Sequence, residues 1–230
     1  MTRNWMKALL TMALALIMCA SVAIAQADVV IACVGDSLTY GVIPNTAGKQ
    51  TEHPYPAVLA ELLGEGYDVQ NYGKPGSALT ENGVCYRNRD GYQLSLDAKA
   101  QMVILMFGTN DSNPKNTWDA ELFESDLANM VDAYREANPD AVICLMAPPE
   151  NFPDASTGEP AMNEALLRGE IRDIVSKVAQ EKNALYVDLF AVTEDHPEWF
   201  GDDGIHLLDE GYVQMGRAIY DVIAEAAQAL

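Results

Sequence analysis

Five short apolar runs punctuate the chain: Val29 to Gly35 (VVIACVG), Tyr67 to Tyr72 (YDVQNY), Gln101 to Phe107 (QMVILMF), Ala141 to Met146 (AVICLM) and Ala184 to Leu189 (ALYVDL). They are short and rich in β-branched residues, and most show no polar alternation, the pattern of strands buried on both faces of a parallel sheet. Between them lie segments with a period near 3.6. Pro54 to Leu63 opens on proline and stops before Gly64. Ala120 to Ala137 sets Leu122, Leu127, Val131 and Tyr134 along one side, with Glu121, Glu124, Asp126 and Asp132 mainly on the other. Asn163 to Lys182 and Asp209 to Ala229 repeat the pattern at greater length. Helices alternating with buried strands predict an α/β domain, a three-layer sandwich around a five-stranded parallel sheet, because each parallel connection has to cross back over a sheet face. The stretches Tyr40 to His53 and Gly73 to Leu96 carry neither period and read as long loops. Both follow strand ends, where parallel sheets place their ligand sites.

The first 27 residues stand apart from this alternation. Arg3 and Lys7 form a basic start, residues 8 to 24 are mostly apolar, and Ala23, Ala25 and Ala27 offer small-residue cleavage sites. That is the form of a secretory signal peptide, with a membrane anchor as its rival. Cys19 raises a lipid anchor, but Met18 precedes it where a small residue is expected. Residues 28–230 then form a single exported domain, periplasmic or extracellular, with no stable membrane insertion after cleavage. The leader carries two basic residues and no acidic one, so its removal shifts the net charge from −20 to −22. Such a surface repels nucleic acid and anionic lipid. Cys33 and Cys144 lie inside strand-like runs and read as small buried hydrophobes; with Cys85 they make an odd number after cleavage and show no CxxC spacing.

Candidate chemistry begins at the first strand end. Val34-Gly35-Asp36-Ser37-Leu38-Thr39-Tyr40-Gly41 puts a serine two residues beyond a buried strand. Alone, this is equally a strand cap. A nucleophile needs a base, and the chain holds three histidines. His53 and His196 each precede proline, where loop or capping roles suffice, whereas His206 lies in Gly201-Asp202-Asp203-Gly204-Ile205-His206-Leu207 ahead of the C-terminal helix. Asp203, three residues before it, can reach one ring nitrogen while the other faces Ser37, the relay in which a histidine takes the serine proton and an acid holds its tautomer. The competing reading has Asp203 capping a turn and His206 packing beneath the helix. Donors for an oxyanion are available from the Ser37 amide, from Gly73 in Asn71-Tyr72-Gly73-Lys74-Pro75-Gly76, and from the Asn110 side chain in Gly108-Thr109-Asn110-Asp111. Glycine and asparagine are also ordinary turn residues. Asp36 and Asp111 lack the company of further ligands that a metal pair would need and are expected to hold loops by accepting backbone hydrogen bonds; neither cofactor nor metal is implied.

Taken together, GDSLTYG with Ser37, NYG with Gly73, GTND with Asn110, and DGIHL with Asp203 and His206 resemble the GDSL or SGNH hydrolases. The resemblance runs from about Val29 to about Ala224 and implies a flavodoxin-like SGNH hydrolase fold. It further implies a carboxylic ester hydrolase with Ser37, His206 and Asp203 as triad and Ser37, Gly73 and Asn110 as oxyanion donors. Lys74-Pro75 departs from the more neutral residues usual in the second block. The surrounding text is similar to the bacterial sialate O-acetylesterase-like carbohydrate esterases, which implies a small-molecule or glycan ester substrate, with lysophospholipase, lipase or thioesterase activity, or a silent carbohydrate-binding protein, as alternatives. No long apolar lid is apparent, which favours a short acyl group. In Cys85 to Tyr92, Tyr86 is placed to stack on a sugar and Arg87 or Arg89 to pair with a sialate carboxylate, the alternative being bridges to surface acids. Trp118 and Trp199 either line the same mouth or cover the edge of the core.

Overall fold

The computed structural model describes residues 29–230; the expected leader, 1–27, lies outside them. Five strands are present: β1 (Val29–Gly35), β2 (Tyr67–Asn71), β3 (Met102–Met106), β4 (Val142–Ala147) and β5 (Leu185–Asp188). All pair in parallel in the order β2-β1-β3-β4-β5. That is the flavodoxin-like order, whose topological switch point lies between β1 and β3. The expected five-stranded α/β sandwich is thus the observed one.

Side chains leaving a strand alternate between faces, and β1 shows why both faces fill. Ile31 and Cys33 point to one side, packed with Ile104, Tyr55 and Leu59 of α2 (Tyr55–Leu63), and Tyr212, Met215 and Ile219 of the last helix. Ala32 and Val34 point to the other, packed with Val103, Leu105 and the helices built from residues 120–137 and 164–181. Ile104 is fully buried between layers, so its truncation to alanine costs about 2–5 kcal/mol. Cys33, Cys85 and Cys144 are free thiols inside this packing. Burial pushes the Cys144 thiol up to about 12, which leaves it inert.

The helices confirm the periodic reading where the period is long and depart from it where elements are short. α4 (Ala120–Ala137) is capped by Asp119, whose side chain accepts from the Leu122 amide at 3.0 Å, and it buries Phe123, Leu127, Met130, Val131 and Tyr134. The stripe therefore runs through Phe123; Leu122, expected on the buried side, is only half-buried. α5 runs without a break through an α segment (Glu164–Leu166), a π turn (Leu167–Ile171) and a second α segment (Arg172–Glu181). α7 (Asp209–Gln228) closes the chain. Three short helices fall where no period announced them: α1 (Ser37–Tyr40), α3 (Asp90–Asp97) and α6 (Leu189–Thr193). α3 corrects the reading of 73–96 as loop throughout. Its sequence, DGYQLSLD, includes a glycine and too few apolar residues to signal a helix alone, and packing of Tyr92 and Leu96 on the core supplies the stability.

Candidate active site

Ser37 is the first residue of α1, on the tight turn that leaves the carboxyl end of β1. Asp36 caps that helix by accepting the Leu38 amide at 2.9 Å, so the serine is carried on a rigid start rather than a mobile loop. The Ser37 hydroxyl lies 2.9 Å from His206 Nε2, and His206 Nδ1 lies 2.8 Å from Asp203 Oδ2. The other Asp203 oxygen accepts the backbone amides of Ile205 and His206 at 3.0 and 2.9 Å. Each carboxylate oxygen therefore has one task, and the ring cannot turn without breaking its bond to the acid. Partial burial pushes Asp203 up, but the His206 ring and the two amides outweigh it and hold the carboxyl below its ordinary value.

The turn that carries this pair depends on Gly204. Its φ is +65°, and a Cβ added there would stand 2.0 Å from the Phe152 carbonyl oxygen. Phe152 in turn donates its amide to the Gly204 carbonyl at 2.8 Å. The acid and the histidine are thus held, through Gly204, by Phe152 of the loop that follows β4, 52 residues earlier in the chain (204 − 152), through contacts that no local spacing reveals.

Ser37, Asn110 and His206 border a cleft of about 260 Å³, which is walled by Val42, Thr46 and Gly48 from the loop after α1, by Pro75 and Gly76, and by Thr109, Met162 and Ile205. Among the described residues, no aspartate, glutamate, lysine or arginine lines it. Three larger depressions among the described residues, of about 490, 620 and 280 Å³, contain no member of the Ser–His–Asp array; the first sits at the amino ends of β4 and β5, the second beside the start of α7 and the third at the amino ends of β1 and β2. The chemistry belongs to the smaller space, because there the Ser37 hydroxyl is hydrogen-bonded to an imidazole that an acid holds.

The donors differ in part from those expected. Gly73 donates its amide to Asn71 Oδ1 at 2.9 Å, a local turn that consumes it. A Cβ at Gly73 would fall 2.2 Å from the Tyr40 nitrogen, so this glycine serves the close approach of two backbones and not the cleft. Gly76, which sequence reasoning passed over, lines the cleft, and its amide meets no acceptor among the described residues. The signal was available: asparagine two residues before a glycine is the spacing of an Asx turn, which leaves the later glycine of NYGKPG as the free donor. The Ser37 amide belongs to the first turn of α1 and has no intrahelical partner. Asn110 reaches the cleft wall, with Nδ2 donating to Asp36 Oδ2 and to the Ser77 carbonyl, each at 3.0 Å. Asp36 is fully buried; burial pushes it up to about 6, against the pull of the Leu38 amide, the His206 ring and Asn110. Asp111 accepts the amides of Leu79 and Thr80 at 3.0 Å, the loop-holding role foreseen for it.

None of the five residues proposed for the sugar borders the cleft. Tyr86 is completely buried, with its hydroxyl donating to the Tyr72 carbonyl at 2.8 Å and its ring against Phe107. Arg87 turns to α4, donating to the Asp126 carbonyl at 3.0 Å and meeting its carboxylate at 3.4 Å. Arg89 is half-buried at the start of α3, its amide bonded to the Tyr86 carbonyl. Trp118 donates to Glu170 at 2.6 Å and leans on Phe123. Trp199 stacks on the His196 ring with centroids 3.7 Å apart. For Tyr86, Arg87, Trp118 and Trp199 the physical reason is shared: an aromatic ring or arginine stem recovers more by packing on a neighbour or pairing with a nearby acid than by standing free in solvent.

A parallel α/β sandwich with a serine, a histidine and an acid hydrogen-bonded in series at its carboxyl edge defines the class of α/β serine hydrolases. Residues 33–214 match the GDSL-like Lipase/Acylhydrolase family, and the chain belongs to it. Membership of that family supports a carboxylic ester hydrolase. An acetylxylan esterase of Xylanibacter ruminicola is 28% identical over 209 residues, 82% of this chain and 42% of that protein, so the chain spans about two fifths of that relative's length. Among solved structures, a carbohydrate acetylesterase from Sinorhizobium meliloti superposes with a TM-score of 0.71 at 22% identity, covering 86% of this chain and 99% of the other. A lipase/acylhydrolase from Enterococcus faecalis gives 0.67 at 22% identity, covering 87% and 96%. At these identities the likeness is one of fold.

Proposed function

We propose that the chain is a serine esterase that removes short acyl groups, acetyl foremost, from neutral carbohydrates. The observation that carries this reading is the continuous hydrogen-bonded line Asp203–His206–Ser37 ending in a small cleft without a charged wall. His206 Nε2 takes the Ser37 proton as Oγ bonds to the ester carbonyl carbon, and Asp203 stabilises the resulting imidazolium. Negative charge developing on the carbonyl oxygen is met by the amides of Ser37 and Gly76 and by Asn110 Nδ2, which gives up its bond to the Ser77 carbonyl to do so. His206 then returns the proton to the departing alcohol oxygen. In the second half it takes a proton from water, whose oxygen bonds to the acyl carbon, and hands that proton to Ser37 Oγ as the bond between Oγ and the acyl carbon breaks and the free acid leaves.

Two features support the substrate. A space of about 260 Å³ falls below the roughly 300–1,000 Å³ of pockets for drug-sized ligands, which suits an acetyl group better than a fatty chain. An acidic sugar finds no cation on the wall, and a chain with net charge −20 repels it at a distance. The acetylxylan esterase and the carbohydrate acetylesterase among the similar proteins support an acetylated carbohydrate as substrate. The test is hydrolysis of acetylated xylan, O-acetylated sialic acid, 4-nitrophenyl acetate and a long-chain ester by the wild type and Ser37→Ala. Acetylated xylan and the short aryl ester should be cleaved and the variant should be inert. Preference for sialate or for the long chain overturns the substrate, and undiminished Ser37→Ala activity overturns the nucleophile. We also propose export, on the basic, apolar and small-residue order of 1–27; a secreted or periplasmic product whose N-terminal sequencing starts near residue 28 would bear this out, and retention in the cytoplasm would refute it.

A further inference from the structure

The loop after β4 holds a buried carboxylate that this ester chemistry does not use. Glu150 sits in the loop between β4 and α5, is 4% exposed, and donates its amide to Thr193 Oγ1 at 3.0 Å. Its Oε2 receives Nη2 of Arg168 at 2.9 Å, while its Oε1 has no partner among the described residues. Arg168 projects from the π turn of α5, lies 4.8 Å from the centroid of the Phe190 ring, and also meets Glu164 and Glu194, each at 3.2 Å. A π turn interrupts the regular ladder, re-aims the side chains around it, and recurs at functional positions.

The loop that Glu150 opens is the one that holds the Asp203–His206 turn. Phe152 donates to the Gly204 carbonyl at 2.8 Å, Ala155 donates to the Asp202 carbonyl at 2.7 Å, and Asn151 Nδ2 closes the loop on the Met162 carbonyl at 3.2 Å. One end of the loop is therefore fastened to α5 by an ion pair, and its middle is fastened to the turn that aims the histidine. We propose that Glu150 and Arg168 are positioning residues for the reaction: their pair anchors the loop after β4 to α5 and thereby holds Gly204, Asp203 and His206 in register with Ser37. The inference rests on reading Ser37, His206 and Asp203 as the triad. Burial pushes Glu150 up to about 7 against the attraction of Arg168, with Glu164, Glu194 and Asp195 adding to the rise, so the pair is held with little to spare around neutral pH. Removing Arg168 leaves an uncompensated charge on the buried Glu150 side chain, which is why the contact is costly to break from that side.

The helix supplies its own control. Arg172, one turn on, also lies over Phe190, at 5.4 Å, but its side chain bonds Asp188 at 2.8 Å and not the loop. The experiment compares Glu150→Gln, Arg168→Met, Arg168→Lys, Arg172→Met and the Glu150→Gln/Arg168→Met double variant on 4-nitrophenyl acetate, with Tm measured for each. Glu150→Gln and Arg168→Met should lower kcat about ten- to a hundredfold through misplacement of the base. KM should stay within about twofold, because the interaction lost is one that acts in the transition state. The double variant should be no slower than the worse single, as two residues of one pair share one loss. Arg168→Lys should recover most of kcat, and Arg172→Met should lower Tm while leaving kcat in place. Should Glu150→Gln not fold, the contrast between Arg168→Met and Arg168→Lys decides alone. A kcat unchanged in the Arg168→Met variant, or lowered as much by Arg172→Met, overturns the positioning role. A wild type inert toward esters overturns the esterase reading instead.

Discussion

Cys85–Tyr92 and Gly201–Leu207 make an instructive pair. Both are short segments beyond strand ends, and both carry side chains suited to chemistry, two arginines and two tyrosines in the first, two aspartates and a histidine in the second. The first turns inward: Tyr86 becomes core, Arg87 binds α4, and the segment continues into α3. The second turns to the cleft, because Asp203 spends one oxygen on its own backbone and Gly204 is docked on the loop after β4. The difference teaches that residue type proposes a role while packing assigns it. A side chain large enough to recognise a sugar is also large enough to be worth burying.

That contrast can be broken from either side. The largest expected effect is from Asp203→Asn, which should reduce kcat on 4-nitrophenyl acetate by roughly 10⁴ with the fold intact, since the histidine loses the acid that sets its tautomer; a fall of less than tenfold would remove Asp203 from the relay. Next comes Asn110→Ala, expected to cost about 10² to 10³ in kcat with little change in KM, as a donor that acts on the oxyanion should. Tyr86→Phe should leave both constants near wild type and lower stability by about 1 kcal/mol through the lost bond to the Tyr72 carbonyl, seen as a lower urea midpoint. A selective loss on sugar esters in that variant would restore Tyr86 to the substrate.

The smallest effect concerns pH and stability. Glu150, raised from 4.5 to about 7 by burial, contributes stability that is fully present below pH 4.5 and is lost as pH rises through about 7. Asp36, raised from 3.8 to about 6, behaves likewise over its own lower window. Asp203 has the opposite sign, because its lowered value supports the fold above pH 3.8 and fails as pH falls through it. Denaturation of Glu150→Gln from pH 5 to 8 should therefore show the variant gaining on the wild type as pH rises. A constant difference across that range would mean that Glu150 does not titrate there.

Much of the architecture was legible along the chain. The apolar run Gln101 to Phe107 became β3 (Met102–Met106) within one residue at each end, and Asp209 to Ala229 became α7 with the same start. Long regular periods survive folding because burial of a whole face enforces them. The short elements were not legible. α1 has four residues and rests on one Asp36 cap, and the π turn in α5 leaves no mark on the period of Asn163 to Lys182.

At the site, spacing and the scarcity of histidines pointed to Ser37, His206 and Asp203 but left a strand cap and a capped turn open, and the four-block resemblance to the GDSL or SGNH hydrolases supplied the assignment. The apolar pattern also bounded the fold class, since five buried runs joined by helices admit few chain paths. Which glycine keeps its amide free, which loops wall the cleft, and where the arginines and tryptophans come to rest were decided only in three dimensions. Those outcomes depend on contacts between segments far apart in the chain, such as Phe152 with Gly204 or Arg87 with Asp126. A local pattern encodes which face of an element is apolar; it carries no record of the neighbour that will cover it.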